Sequence, residues 1–473
     1  MRPSTPRETT LGGLRTSGHV QRSVKAEIRH NLLVRLRSGE PRFPGIVGFD
    51  DTVLPHLERA LLAGHDLVLL GERGQGKTRL IRTLVGLLDE WTPVVTGCEI
   101  NDHPYDPVCV RCRRLAAETG DELPVSWRHR DERYGEKLAT PDTSVGDLIG
   151  DVDPVKVAEG RTLGDPETVH YGLVPRTNRG IFSINELPDL AERIQVSLLN
   201  VLEERDVQIR GYALRLPLDV LLVASANPED YTNRGRIITP LKDRFGAEIR
   251  THYPLALDTE LALIRQEADL ADLGGVPAEV PEHLIEVIAR FTRLVRESNA
   301  VDARSGVSAR FALAATETVA AGAVRRAALT GDDHAVARVC DLPAIVPTLM
   351  GKVEFEVSEE GREQEVLEHL LRRATAETYR RTLGAADLSG LLDKFDAGEM
   401  VESGELVGAA ELLRRIGRVR GLAKIMERLE MTGDSPGQAA AALEFALEGL
   451  FLSRRLSKDV SGDRADGTAT YRT

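Results

Sequence analysis

A glycine-rich loop constrains this chain more than any other feature of its sequence. The loop fits the pattern G-x-x-x-x-G-K-[ST] and reads Gly71-Glu72-Arg73-Gly74-Gln75-Gly76-Lys77-Thr78. The apolar run DLVLL precedes it and a helical pattern follows it, so the order is strand, loop, helix. The glycines let backbone N–H groups face phosphate oxygens, Lys77 would reach the β and γ phosphates, and the Thr78 hydroxyl would ligate Mg²⁺. The sequence therefore predicts a nucleoside-triphosphate site in an α/β fold with a parallel sheet.

A second apolar run, GIFSINE at residues 180–186, is the candidate strand for the side chains that organise the metal ion and activate water in ATP hydrolysis. Glu186 would polarise the attacking water. The position before it, commonly aspartate in this arrangement, is Asn185, whose amide could hold a metal-bound water only as a neutral dipole. We therefore expect nucleotide binding with reduced Mg²⁺ affinity and slow turnover. The alternative is an asparagine and a glutamate that merely end a strand.

Composition and charge narrow the class of protein. The chain has 473 residues, with 61 Lys plus Arg against 74 Asp plus Glu, so its formal charge is -13. That balance makes nucleic acid and anionic membranes unlikely partners. The N-terminus lacks an apolar signal-peptide core, and nowhere do about 18 uncharged apolar residues run together. A cytoplasmic location is the expectation.

The periodicity of the chain predicts several regions. Short apolar strands alternate with helices up to Pro254, and alanine-, leucine- and arginine-rich helices follow. The run PVVTG reads as a second strand of the α/β core, and the stretch DVQIRGYALRLP reads as a β-hairpin. The predicted regions are an N-terminal helical extension at 1–42, an α/β core at 43–255, an insertion at about 98–141, a helical lid at 256–382, further helices at 383–456, and a disordered tail at 457–473.

The insertion carries three of the four cysteines. Cys98, Cys109 and Cys112 lie close in sequence to His103, so three thiolates and one imidazole could form a tetrahedral zinc site. His129 or Asp102 could replace His103 as the fourth ligand. Three reduced, metal-free thiols are the alternative, and a thioredoxin-like redox role is disfavoured because C-x-x-C lies in a polar insertion.

Together, the loop, the strand ending in Asn185 and Glu186, and the motifs VASANPED, LKDRFG and SGVSARFAL resemble an AAA+ ATPase of the magnesium chelatase ATPase-subunit and MoxR-like group. The resemblance covers about residues 43–315 and implies an α/β P-loop core followed by an all-α lid. It also implies that the segments at residues 150–160 and 172–180 carry the helix-2 insert of this group, and that the hairpin is the pre-sensor-1 hairpin.

The same resemblance implies roles for particular residues. Asn227 resembles sensor 1, Arg244 the arginine finger and Arg310 sensor 2, while Ile46 and Val47 resemble residues that line the adenine pocket. Each arginine has a plainer alternative: Arg244 could pair with Asp243 or Glu248, and Arg310 could be a solvated helix arginine.

An arginine that acts on a neighbouring subunit's nucleotide implies a homo-oligomer, and the family expectation is a hexamer. The resemblance further implies an ATP-driven motor that remodels a separate von Willebrand factor A-type (integrin-like) partner, for metal insertion or client activation. No D-x-S-x-S pattern occurs in this chain, so that domain is expected on another protein. The alternatives are a nucleotide-gated scaffold with little turnover, chlorophyll-pathway magnesium chelation proper, and a sigma-54-type transcription activator, which would carry a GAFTGA loop that this sequence lacks.

Overall fold

The computed structural model describes residues 6–153, 168–203, 216–228, 236–270, 276–302, 306–460 and 468–472, together with Val155 and Ala158. The chain divides into two compact units, Met1–His252 and Tyr253–Thr473. Of the helices that the structure describes, none combines the length and the apolar stretch that crossing a bilayer requires.

A five-stranded parallel sheet organises the first unit. The strands of this unit are β1 Leu67–Leu70, β2 Trp91–Val95, β3 Val125–His129, β4 Tyr134–Leu138, β5 Gly150–Val152, β6 Val169–Tyr171, β7 Gly180–Asn185, β8 Val220–Ala226 and β9 Ala247–Arg250. The sheet has the order β4-β7-β8-β1-β9, so the strand that leads into the glycine-rich loop lies between β8 and β9. Strands β1, β7 and β8 are buried along their whole length, as continuous apolar runs predict for a parallel sheet covered on both faces.

Helices cover both faces of this sheet. They are α1 Leu11–Thr16, α2 Val24–Ser38, α3 Val53–Ala63, α4 Lys77–Thr83, α5 Val110–Thr119, α6 Val145–Leu148, α7 Leu173–Arg176, α8 Glu192–Glu203 and α9 Thr239–Arg244. Alternate residues of one strand enter different cores: Leu67 and Leu69 pack with α2, α3 and α4, whereas Val68 and Leu70 pack with α8. The predicted α/β core is confirmed.

The N-terminal region, predicted as a helical extension up to residue 42, belongs to the first compact unit. Glu27 of α2 forms a buried ion pair of 2.7 Å with Arg133. The backbone N–H of Val24 donates to Asp219 at 2.8 Å, and Lys25 pairs with Asp66 at 2.9 Å. Because these partners are spread over the core, α2 packs as one of its helices.

The insertion also needs a correction. Strands β2 and β3 pair antiparallel with each other in a separate two-stranded sheet, so PVVTG is not a core strand. Strand β4, which falls inside the predicted insertion, is the edge strand of the central sheet. An edge strand has one unpaired side and tolerates polar residues, so YGEKL does not show the apolar run of the inner strands. The inserted segment therefore lies between α4 and β4.

The second unit is mostly helical, as predicted, with one shared core. Its helices are α10 Leu257–Glu267, α11 Glu282–Arg296, α12 Ala309–Thr330, α13 Ile345–Leu349, α14 Glu363–Thr382, α15 Ser389–Asp396, α16 Ala409–Ile416, α17 Leu422–Arg428 and α18 Pro436–Leu452. Phe291 and Phe311 belong to the same buried cluster as Phe395 and Phe445. Helices on both sides of the predicted division at residue 382 therefore share one core.

The tail is not disordered along its described residues. Short strands of this unit are β10 Ala278–Glu279, β11 Ala335–Val336, β12 Val401–Ser403, β13 Ser457–Val460 and β14 Ala469–Arg472. Strand β14 pairs antiparallel with β12 and β13. The buried Tyr471 hydroxyl donates to Glu448 of α18 at 2.6 Å, and Lys458 donates to the same carboxylate at 2.7 Å. These contacts anchor a polar sequence that its composition alone predicts to be disordered.

Two predicted elements, the β-hairpin and the helix-2 insert, lie partly outside the described residues. Of the hairpin predicted at 206–217, the structure describes only Leu216 and Pro217. In the segment compared with the helix-2 insert, strands β5 and β6 pair antiparallel. Residues 159–167 between them lie outside the description.

Candidate nucleotide-binding site

The glycine-rich loop lies at the carboxyl end of β1 and leads directly into α4. Gly74 and Gly76 have φ angles of 75° and 78°, which side-chain-bearing residues rarely adopt, and Gly76 is the N-cap of α4. A Cβ atom at Gly71 would collide with the side chains of Thr251 and Gln75. Because backbone N–H groups at a helix N-terminus are unpaired within the helix, this geometry suits a phosphate group.

Lys77 places its ammonium group inside the loop. The side chain is buried, and its Nζ donates to the carbonyl oxygens of Gly71 and of Glu72, the latter at 3.0 Å. It also donates to Oδ1 of Asn227 at 2.7 Å. Lys77 and Asn227, which the sequence separates by 150 positions, therefore meet at the carboxyl edge of the sheet.

Glu186 follows β7 and is joined to the same group. Its backbone has φ 55° and ψ 50°, a left-handed conformation that costs a non-glycine residue free energy and is concentrated at functional sites. Its carboxylate accepts from Nδ2 of Asn227 at 2.7 Å, and its N–H donates to the Ser225 hydroxyl at 3.3 Å. The structure thus brings Lys77, Asn227 and Glu186 together in one chain of hydrogen bonds.

Asn185 contacts a carboxylate that the sequence reasoning missed. Its Nδ2 donates to Oε1 of Glu136 at 2.6 Å, and its Oδ1 accepts from Ser225 at 3.3 Å. Glu136 lies on β4, beside β7 in the sheet. A signal was available in the sequence: YGEKL alternates like a short strand and precedes the turn at TPDT.

Glu136 is held in its ionised form. Burial raises the pKa of this carboxyl, but hydrogen bonds from Arg82 at 2.9 Å and from the Tyr134 hydroxyl at 2.9 Å outweigh burial, so the pKa lies below its ordinary value. Asn185 adds a third donor. A negative charge therefore stands next to the position where related sites place the aspartate.

The remaining residues of the loop have different environments. Gln75 is buried and accepts from the Thr251 hydroxyl at 2.7 Å. Glu72 and Thr78 are half-buried, and Arg73 is exposed. Thr78 occupies the first turn of α4, where its hydroxyl can serve a metal ion bound with the phosphates.

The predicted adenine-pocket residues lie in the segment before α3. Ile46 lines a cavity of 330 Å³ together with Phe43, Gly45 and Leu54. Val47 follows it in the chain and is half-buried. Both roles stay predictions.

The roles predicted for Arg244 and Arg310 also stay predictions. Arg244 ends α9 and lies 3.5 Å from the adjacent Asp243, with its side chain 32% exposed. Arg310 is exposed in the first turn of α12, in the second unit. The contact with Asp243 is the plainer alternative for Arg244, although an exposed ion pair between neighbouring residues contributes little.

The cysteine cluster forms with a different fourth member from the one predicted. One side-chain atom each of Cys98, Asp102, Cys109 and Cys112 lies within 4.8 Å of the others, and all four residues are buried. His103, the predicted fourth ligand, is not in this group of described residues, whereas Asp102, its alternative, is. Asn101 adopts a left-handed φ of 56°, and the adjacent Asp102 joins the cysteines.

Comparison with known proteins supports the sequence resemblance. Residues 161–244 match the family model of the sigma-54 interaction domain. The magnesium-chelatase subunit ChlI of Nostoc sp. is 31% identical over 240 residues, which is 48% of this chain and 59% of that protein. The magnesium-chelatase 38 kDa subunit of Cereibacter sphaeroides is 32% identical over 235 residues, covering 49% and 64% respectively.

Over about half of its length, this chain is similar to magnesium-chelatase ATPase subunits. The chain covers less than two thirds of the length of either of these relatives. Among solved structures it is similar to a cryo-EM-based model of subunits BchI and BchD of magnesium chelatase, at 22% identity and a TM-score of 0.36, over 69% of this chain and 98% of that one.

Proposed function

We propose that this protein is an ATP-hydrolysing AAA+ motor in which Glu186 activates the attacking water. The observation that carries the proposal is the hydrogen-bonded chain from Lys77 through Asn227 to Glu186. It joins a cation suited to the β and γ phosphates to a carboxylate suited to a water molecule. A single amide orients both, because its oxygen accepts from the lysine and its nitrogen donates to the glutamate.

Each residue then has a distinct task. Lys77 and the N–H groups of the loop bind the phosphates, and Asn227 positions the carboxylate of Glu186. Glu186 accepts a proton from water as the water oxygen attacks the γ-phosphorus and the bond to the ADP oxygen breaks. The products are ADP and inorganic phosphate.

Magnesium fits the donors at this end of the sheet. The Thr78 hydroxyl, the Asn185 amide oxygen and the Glu136 carboxylate are oxygen ligands of the kind that Mg²⁺ prefers, directly or through water. When bound, the ion supplies charge neutralisation on the β and γ phosphates. We infer that Glu136 provides the negative charge that Asn185 lacks, so the asparagine slows turnover without abolishing it.

The proposed assembly is a ring, with a hexamer as the expectation. An arginine finger at Arg244 would act on a neighbouring copy's nucleotide, and sensor 2 at Arg310 would contact the phosphates within one copy. The cycle would remodel a separate partner of the von Willebrand factor A type, for metal insertion or client activation. These last steps rest on the family resemblance.

Phosphate release and nucleotide binding, measured on the same preparations, test the proposal. Glu186→Gln should lower phosphate release by about 100-fold or more while retaining ATP binding, because general-base catalysis contributes about that factor. Glu192→Gln, which removes an exposed carboxylate six positions later, is the matched control and should leave release unchanged. Tight ATP binding with no release by the wild-type chain would instead establish the nucleotide-gated scaffold.

A second candidate, a sigma-54-type activator, is favoured by the match of residues 161–244 to the sigma-54 interaction domain. It predicts that the ATP-bound Glu186→Gln chain co-elutes with a sigma-54 factor. The motor proposal predicts no such complex. The missing GAFTGA motif makes that second outcome the expected one.

A further inference from the structure

The inserted segment contains a second site, unrelated to the nucleotide. It lies in the connection from β2 to α5 and at the start of α5. We propose that Cys98, Asp102, Cys109 and Cys112 bind one structural Zn²⁺ ion that fastens α5 to the two-stranded β2–β3 sheet.

The arrangement has the size of a single-ion site. Three sulfur atoms and one carboxylate oxygen lie within 4.8 Å of one another. Zinc–sulfur bonds of about 2.3 Å in a tetrahedron place the sulfur atoms about 3.8 Å apart, so a small contraction brings all four ligands onto one ion. Thiolate and carboxylate ligands in this number are a set that zinc accepts.

Asp102 supplies an independent sign of a missing partner. The residue is 1% exposed, and its Oδ2 accepts from the N–H of Cys109 at 2.9 Å. Its Oδ1 is buried and has no hydrogen-bond partner within the described part of the chain. A buried carboxylate oxygen without a partner is costly, and a bound cation would compensate it.

Backbone donors already point at the sulfur atoms. The N–H of Asp102 lies 3.3 Å from Sγ of Cys98, and the N–H of Cys112 lies 3.3 Å from Sγ of Cys109. Such donors stabilise the thiolate, which is the form that binds metal. The guanidinium of Arg111, 4.0 Å from Sγ of Cys112, offsets part of the negative charge of the set.

His103 is engaged elsewhere. Its Nδ1 accepts from the N–H of Tyr105 at 3.0 Å, and its Nε2 lies 3.3 Å from Nε2 of His19, whose ring stacks on it. The geometry therefore assigns the fourth position to Asp102.

A role for the ion follows from the packing. Cys112 is the buried residue of α5, and Cys98 follows β2 directly after a turn. An ion bound to both would join α5 to the β2–β3 sheet. Four protein ligands leave no open position on the ion for a substrate. The ion is thus structural, and nucleotide binding does not require it.

Metal analysis of the full-length chain tests the proposal. Protein purified without chelators should contain one zinc ion per chain by mass spectrometry. Asp102→Ala and Cys112→Ser should lower the zinc content at least 10-fold. His103→Ala and Cys340→Ser, the matched controls, should retain it, since Cys340 lies in the second unit.

A titration of the wild-type protein covers the case in which a cysteine variant fails to fold. A mercurial thiol reagent should release one zinc ion as three thiols react, detected with a chromogenic chelator. Iron in place of zinc, a disulfide within the cluster, a metal-free protein after growth with added zinc, or loss of zinc in His103→Ala but not in Asp102→Ala would each overturn the proposal. ATP binding, measured on the same samples, is independent of all these outcomes.

Discussion

The nucleotide site and the cysteine cluster both lie in the first unit, but their polar atoms are bonded in different ways. In the nucleotide site, Lys77, Asn227 and Glu186 bond to one another. In the cysteine cluster, Asp102 retains a buried oxygen with no partner among the residues described.

This difference follows from how each ligand is used. A nucleotide enters and leaves in every cycle, so the residues that bind it must satisfy one another in between. A structural metal stays bound, so its ligands need no such exchange and can be placed for the ion alone. We therefore expect the two sites to respond to different perturbations.

Removing the metal should have the largest effect and should be local. Stripping zinc with a chelator should speed amide hydrogen exchange in residues 96–119 by about 100-fold or more, since losing a structural metal costs several kcal/mol of local stability. Nucleotide affinity, measured by fluorescence titration, should change by less than about 3-fold. Equal loss of protection around the glycine-rich loop would break the separation of the two sites.

Removing the lysine of the glycine-rich loop should have the second-largest effect. Lys77→Ala should weaken ATP binding by about 100-fold, because charge-assisted hydrogen bonds to phosphate contribute about 2–3 kcal/mol. Calorimetric titration measures this directly. Lys137→Ala on strand β4 is the control with the same loss of charge, and zinc content should be unchanged in both variants.

Replacing Asn185 by aspartate should not raise the rate of ATP hydrolysis. Asn185→Asp places two carboxylates within hydrogen-bond distance, so the pair would share a proton and one pKa would rise. We expect phosphate release at pH 7 to fall by about 10-fold and to recover as the pH increases through that raised pKa.

A double variant controls this interpretation. Asn185→Asp combined with Glu136→Gln restores a carboxylate–amide pair with its members exchanged, and release should return to within about 3-fold of wild type. A single Asn185→Asp variant faster than wild type would show that Glu136 does not supply the missing charge.

The smallest expected effect is on the stability of the second unit, in a variant that should leave the nucleotide site and the cysteine cluster unchanged. Tyr471→Phe removes the hydrogen bond to Glu448 and should lower the free energy of unfolding by about 1–2 kcal/mol in urea titration. Tyr379→Phe is the control for a buried ring in the same unit. A loss of nucleotide affinity in Tyr471→Phe would show that the effect is not local.

The inner strands and the loop were predictable because their signals are local. Apolar runs and the glycine spacing mark β1, β7 and β8, and the ends of parallel strands meet at one edge of the sheet. The glycine spacing predicts Lys77 and the end of β7 predicts Glu186, whereas the role of Asn227 rests on the family resemblance.

The errors have a common cause in contacts between distant parts of the chain. Glu136 was missed because an edge strand needs no apolar run. Spacing alone favours His103 over Asp102, because it does not show which residue of this segment faces the cysteines. The polar composition of the tail predicts disorder, whereas the Tyr471 hydroxyl is bound by Glu448 of α18.

Zinc content and phosphate release, measured together on Glu186→Gln and Cys112→Ser, test the separation of the two sites most directly. We predict that Glu186→Gln keeps one zinc ion per chain and loses at least about 99% of phosphate release, in line with the loss of a general base. We also predict that Cys112→Ser loses the zinc and retains ATP binding. Loss of zinc in Glu186→Gln, or zinc-replete Cys112→Ser protein, would contradict it.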